Sequence, residues 1–349
     1  MSALPAAPAA HPDRAANDPP LAAERPWRDV RRELAHDVSA YLALSAVVLV
    51  VAACLLAPLY ASRVAHRDPL AANPSGTTIV HGVVTPVLAA RHTPTGRSAT
   101  PIGPTWDLGH YALGADARGR DLLGLLLYAG RTGLLVAGAA ALVCVALSAL
   151  LALLAALLGA FVDGILARVV DVSWAFPAYL LALVLAYSLG IGGLHVGPVD
   201  LPRSSLWLPV LVVAVVHVPY VARPVRSLVR ALQRREYVRA ARRLGASRAR
   251  VVAREILPSV VVRLLALFPT VVALCLLAET ALSVFSVGVR PPEVSWGTML
   301  GSGLVLAPER PGELVASGLL VAATAGSLLL LGSRLSRALD PGVTIRGAS

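Results

Sequence analysis

Six stretches of this chain run without a single Asp, Glu, Lys or Arg: 38–62, 132–162, 172–199, 204–222, 264–278 and 314–333. The fifth resumes after Glu279 and continues to residue 289. A bilayer core of about 30 Å is crossed by about 20 apolar residues in helical conformation. Backbone amides cannot stay unpaired in hydrocarbon, so runs of this length fold as helices. The pattern predicts an all-α membrane protein with six transmembrane helices. Composition agrees, with 56% hydrophobic and 15% charged residues, against about 25% charged in soluble domains. The 132–162 run exceeds one straight crossing. It is expected to tilt or to start at the interface, with two short spans as the alternative.

These runs divide the chain into a tail (1–37), a first transmembrane helix (38–62), an extracytoplasmic loop and interfacial segment (63–130), a transmembrane domain (131–333) holding a hydrophilic loop at 223–263, and a second tail (334–349). The first 37 residues carry charges throughout and lack a signal-peptide apolar core, so 38–62 is expected to act as an uncleaved anchor. Cys54, Cys144 and Cys275 lie inside apolar runs without paired spacing and read as small buried hydrophobes. The Thr-, Pro- and Gly-rich insert at 73–105 carries no functional signal.

All 31 basic residues are Arg, and the formal net charge is +11. Without Lys the chain cannot hold a G-x-x-x-x-G-K-[ST] phosphate loop or a pyridoxal Schiff base. Any ATP must be bound by another chain. Six spans starting inside place 21 Arg in the amino-terminal tail, a turn at 163–171, the 223–263 loop and the carboxyl-terminal tail, with 9 on the other side and Arg131 at a span edge. The positive-inside rule then puts both termini in the cytoplasm. Twelve of those arginines, between Arg223 and Arg263, cannot be immersed at about 2.5–3.5 kcal/mol each.

Within that loop Tyr237, Ala240, Ala241 and Leu244 form one helical stripe, and Val251, Val252, Glu255 and Ile256 a second. Gly245 separates them and Pro258 marks the start of the next span, giving helix, turn, helix. An Arg-rich amphipathic pair suits anionic lipid headgroups or a protein partner. Nucleic acid does not fit, because no aromatic residues interleave to stack on bases.

Other residues carry two readings each. Asp116, Arg118, Arg120 and Asp121 either cap helix ends and pair locally or contact a solute. Glu279, with Ser283 one turn on, either serves the translocation path or a subunit joint, or lies shallowly enough to reach headgroups or cap its helix. His195 and His217 lack a second ligand at metal spacing, and no metal site is expected. Prolines at 177, 209, 219 and 269 mark kinks or hinges. An ion-driven carrier is the alternative transport class, whereas no H-E-x-x-H or G-x-S-x-G motif supports an enzyme.

The run from Tyr237 to Ser247, followed by Ile256-Leu257-Pro258, resembles the "EAA" cytoplasmic loop of ABC-importer permease subunits. Ala240, Ala241, Gly245, Leu257 and Pro258 match in register, and Arg239 stands where the family has its first Glu. His110-Tyr-Ala-Leu-Gly114-Ala-Asp116-Ala-Arg-Gly119-Arg120-Asp121 is similar to the H-P-L-G-T-D-x-x-G-R-D signature of the C-type permeases of dipeptide, oligopeptide and nickel importers. Asp163, Arg168, Asp171 and Pro177, then Ala278-Glu279 to Ser283, Ser295-Trp296-Gly297 and Arg337 to Pro341 resemble further segments of that group. Val284 to Gly288 and Ser259 depart from it.

The resemblance implies a type I ABC importer transmembrane domain, multi-pass in a bacterial inner membrane, without a cofactor or catalysis of its own. It implies a B-type permease partner, two ATP-binding subunits supplying ATP and Mg, and an extracytoplasmic binding protein delivering a peptide, or alternatively nickel. Tyr237, Arg239, Ala240, Ala241, Leu244, Gly245, Leu257 and Pro258 would then form the ATPase-coupling loop. His110, Gly114, Asp116, Gly119, Arg120 and Asp121 would form an extracytoplasmic motif, and Glu279 and Ser283 would lie on the path or at the joint between permeases.

Overall fold

Asp37 opens the first helix by accepting hydrogen bonds from the Ser39 and Ala40 amides at 3.0 and 3.3 Å, as an N-cap should. The computed structural model describes residues 37–339 except 81–82, 94–95, 197–198 and 203. Most of the 1–37 tail, Arg203, and the Asp340-Pro341 end of the last motif lie outside the described residues.

Helix α1 is Val38–Leu55. A turn at Ala57–Tyr60 and a wide turn at Ala61–Ala65 lead from it into two antiparallel hairpins, β1 (Thr77–Val80) with β2 (Val83–Pro86) and β3 (Leu88–Thr93) with β4 (Gly96–Pro101). The hairpins occupy the insert that composition left unread. Val87, Tyr111 and Ala115 form a small core beneath them. Thr100 donates to Glu309 at 2.9 Å and Arg310 to the Pro101 carbonyl at 3.2 Å, tying the insert to the start of the last helix.

Helix α2, Leu122–Leu158, is 37 residues long, about 55 Å at 1.5 Å per residue, and so outruns any bilayer core. It begins nine residues before the expected boundary at 131 and stays one helix. Its buried face is made of small residues, among them Ala129, Ala137, Ala140, Ala141 and Cys144, which let neighbouring backbones approach closely. Helix α3 is Ala160–Trp174 and α4 is Ala178–Gly192. A short hairpin follows, β5 (Leu194–Val196) with β6 (Val199–Leu201).

Then come α5 (Trp207–Gln233), α6 (Glu236–Arg243), α7 (Arg248–Val251), a wide turn at Val252–Ile256, α8 (Leu257–Val284), α9 (Trp296–Leu306) and α10 (Gly312–Leu339). Helices α2, α5 and α8 pack on one another at the centre; α10 lies against α8, and α1 against α10 and α2. Arg334 near the end of α10 pairs with Asp37 at 3.0 Å. The two ends of the described chain therefore lie together.

Among the described residues five helices, counting α7 and α8 as one, are long and apolar enough to cross a membrane, and α3 with α4 makes a sixth if they form one span bent by 91°. The expected 163–171 turn is instead part of helix α3. The expected span at 172–199 breaks at Ala175–Pro177, because proline lacks an amide hydrogen and pushes the preceding residue out of helical geometry. Alone, the 15 residues of α4 cover about 22 Å, short of a full core. The hydrophilic 223–263 loop is also tighter than expected, since α5 runs on to Gln233 and α8 begins at Leu257.

Candidate functional site

The arginine-rich end is built around α6. Arg235 is extended, so the helical phase resets before Glu236. Most of the expected stripe is open to a partner. Val238 is fully buried and anchors the helix, whereas Tyr237, Arg239 and Ala240 are exposed and Leu244 is 88% exposed. Of the stripe, Ala241 is the residue packed against the core.

Gly245 ends α6 at φ +86. Its amide donates to the Arg242 carbonyl and the Ala246 amide to the Ala241 carbonyl, both at 3.1 Å, the paired closure that requires a left-handed residue and favours glycine. A side chain there would meet nothing within 4 Å, so the constraint is backbone conformation alone. Arg239 donates to the Arg234 carbonyl at 3.0 Å. Leu257 and Pro258 start α8 and are exposed, while Ile256 between the segments is fully buried.

Three ion pairs join α3 to α5. Asp163 accepts from Arg226 Nε at 3.0 Å and from Arg230 Nε at 2.7 Å, and Asp171 accepts from Arg223 at 2.6 Å. Arg223 also lies over the Trp174 ring, 4.8 Å from its centre. Arg248 donates to the Leu157 carbonyl at 3.4 Å. The spacing of Asp163 and Asp171 was visible in the sequence, but their partners on a helix more than fifty residues away were not.

At the hairpin end, Asp116 is buried and accepts from the Arg118 amide (2.9 Å), the Arg120 amide (2.8 Å) and Arg120 Nε (2.7 Å). Asp121, also buried, caps α2 by accepting from the Gly124 amide at 3.0 Å and lies 3.2 Å from the Tyr60 hydroxyl. Burial pushes the Asp121 carboxyl above its usual range, and burial together with the Asp121 charge raises the Tyr60 phenol. Gly114 and Gly119 leave no room for a Cβ, which would stand 2.6 Å from the Ile102 carbonyl and 2.3 Å from the Asn73 carbonyl. His110 pairs with exposed Asp107 at 2.8 Å. The structure thus gives His110, Asp116 and Arg120 partners within the loop and Asp121 Oδ2 a partner in α2, while Asp121 Oδ1 has none among the described residues.

Glu279 and Ser283 lie in the interior of this chain. Both are enclosed by this chain, at 0% and 2% exposure, so neither reaches headgroups. The cause is the segment before α9. Ser295 caps that helix, Trp296 donates its indole N–H to the Leu126 carbonyl at 2.9 Å, and Gly297 fits directly over Thr280 and Ser283. Ser283 donates to Glu279 Oε1 at 2.7 Å, and Oε2 has no partner among the described residues. Glu313, a residue the sequence did not single out, is buried and accepts from Ser302.

His195 lies on the exposed β5–β6 hairpin and pairs with Asp200 at 2.8 Å, not on an apolar helix face. His217 is inside α5 with 7% exposure and borders a 270 Å³ cavity at the α3–α4 bend. The three cysteines are free and buried. No group of three His, Cys, Asp or Glu side chains is placed to hold a metal among the described residues.

Residues 148–345 match the family described as "Binding-protein-dependent transport system inner membrane component". The chain belongs to that family. It is thus a multi-pass membrane component of a transport system with further subunits, and the family is a transport component of ABC importers rather than a catalytic one. This permease is 29% identical over 315 residues to the Oligopeptide transport system permease protein OppC of Escherichia coli K12, covering 90% of this chain and 91% of that one. It is 34% identical over 228 residues to a Sinorhizobium fredii protein named "Probable peptide ABC transporter permease protein", covering 65% and 74%. A Brucella suis protein whose name places it in a peptide transport system as a permease is 32% identical over 237 residues, covering 68% and 75%.

Proposed function

We propose that this permease moves short peptides across a bacterial inner membrane as one half of a translocation path whose other half is a B-type permease. Two cytoplasmic ATP-binding subunits supply the ATP and Mg, and an extracytoplasmic binding protein delivers the peptide. The observation that carries the reading is the outward face of α6. Tyr237, Ala240 and Leu244 present exposed surface at the end richest in Arg, while Val238 fastens the same helix to the bundle. That combination transmits force: a partner gripping α6 moves Val238, and through the Arg226 and Arg230 pairs with Asp163 it moves α3. Leu257 and Pro258 carry the same displacement into α8. The peptide substrate rests on the names of the relatives, and the cytoplasmic placement of both chain ends on the arginine distribution.

The test is reconstitution of the four-subunit importer in vesicles with the binding protein. Labelled trialanine should accumulate only with ATP, and excess Ni²⁺ should not compete. Nickel accumulation without peptide accumulation would overturn the substrate. In the same vesicles, cysteines at Ala99 and Ala249 should be labelled from opposite sides, with Ala249 on the ATP side. Labelling of both from one side would overturn the orientation.

A further inference from the structure

The 91° break between α3 and α4 opens the 270 Å³ cavity, whose walls include Trp174, Phe176, Tyr179, His217 and Tyr220. In size it falls near the ~300 Å³ lower bound of small-molecule pockets. Two features of its wall are out of place against hydrocarbon. His217 is more than nine-tenths buried, and its Nδ1 lies 2.8 Å from the Val213 carbonyl. That contact makes Nδ1 the donor, so Nε2 of the neutral ring is an acceptor, and it makes no hydrogen bond to the described residues. The second feature is the start of α4. Its first residues, Ala178 and Tyr179, line the cavity, and Pro177 before them supplies no side-chain cap. The first amides of a helix have no intrahelical partner, and their dipole favours an anion.

A lone acceptor and a set of free donors beside one apolar cavity are each unfavourable against lipid tails. One ligand group answers both: an anionic oxygen for the α4 amides, an N–H for His217, and an apolar side chain for the aromatic walls. Broken helices hold substrates in this way in other transporters. We propose that this cavity binds the carboxyl-terminal residue of a short peptide. The carboxylate sits at the α4 amino terminus, the residue's own N–H donates to His217 Nε2, and its side chain packs on Trp174 and Tyr179. His217 stands six residues before Arg223, about 9 Å along the helix, so the site is one to two turns inside the arginine-rich end. It rests on the peptide reading above and locates where within this chain the peptide is held.

The experiment uses the assembled importer in lipid nanodiscs without the binding protein, and the photoreactive dipeptide glycyl-4-benzoyl-phenylalanine as probe. Irradiation should label residues within 173–181 and 216–220. Excess Gly-Phe should suppress labelling, and Gly-Phe amide should compete at least tenfold more weakly. His217→Ala should cut labelling at least tenfold, and His217→Gln, which keeps an acceptor, should restore part of it. Equal competition by the amide in the wild type overturns the proposal even if the His217 variants fail to assemble. Labelling elsewhere, or undiminished in His217→Ala, overturns it too. So does labelling of the cavity by a photoreactive phospholipid that Gly-Phe does not displace. Uptake of trialanine by the wild type separates the two readings: uptake with an unlabelled cavity removes this site alone, whereas absence of both removes the peptide substrate.

Discussion

At the hairpin end Asp116 holds Arg120 and two backbone amides within 3 Å, out of reach of any other molecule. At the arginine-rich end, about a bilayer away along α2, Leu244 stands 88% exposed beside a helix fastened by one buried valine. Both segments are densely charged, both contain glycines with positive φ, and both carry motifs that the sequence alone marks out. Their side chains nevertheless point in opposite senses. A motif whose polar groups are mostly satisfied from within holds a shape, and one that leaves apolar side chains outside awaits a partner.

The strongest way to break this contrast is Asp116→Ala. If the hairpin-end motif is a scaffold, the change strands a nearly buried guanidinium and two amides, and breaking such a pair costs about 3–5 kcal/mol. The purified permease should unfold at markedly lower denaturant, and uptake should fall only in proportion to the folded protein lost. Uptake lost with stability unchanged would move Asp116 into the class of solute-contacting residues. Leu244→Asp is the converse test, with a smaller free-energy effect. Stability should stay within ±0.5 kcal/mol, as for other exposed positions, while ATP-driven uptake falls on the order of tenfold, about 1.4 kcal/mol of lost docking. A stability loss matching that of Asp116→Ala would show that Leu244 faces the bundle.

The same contrast explains what could be read in advance. The apolar runs located α1, α2, α5, α8 and α10, because a membrane imposes length and hydrophobicity on each helix separately. Helix ends were misplaced because α5 runs on through Arg223, Arg226 and Arg230: arginine is excluded from the bilayer centre, not from helices. The break at Pro177 was marked as a kink, but its angle depends on what α4 packs against, which here is chiefly α5. Hairpins β1 to β4 left no trace, since strands of four to six residues rich in Thr, Ala and Arg lack a long alternating pattern. Pairings such as Asp163 with Arg226, or the covering of Glu279 by Ser295 to Gly297, belong to tertiary structure. At α6 the residue types and the stripe were legible, whereas the anchoring of the helix by buried Val238 was not.

The finest test concerns Asp121, which belongs to the scaffold yet carries a buried charge. Burial raises its carboxyl above the usual 3.8, against the opposing pull of the Gly124 amide and the Tyr60 hydroxyl. The folded protein thus holds this proton more tightly than the unfolded chain does. The stability it contributes is fully present below the usual value and is lost as pH rises through the folded one. Asn caps a helix about as well as Asp, so Asp121→Asn should keep the bond to Gly124 and remove the charge. The variant should equal or slightly exceed the wild type in stability at pH 7.5, by a few tenths of a kcal/mol. As the pH falls toward 4, the wild type should gain on the variant; unfolding midpoints at a series of pH values measure the difference. If the wild type instead gains on the variant as pH rises, the charge itself is being used. The cation that acts on it is Arg67, whose field lowers the Asp121 carboxyl and whose side chain donates to the Gly109 carbonyl at 3.4 Å. That outcome would show Asp121 held as a charge by a cation of its own loop, a use of the charge that stays inside the scaffold.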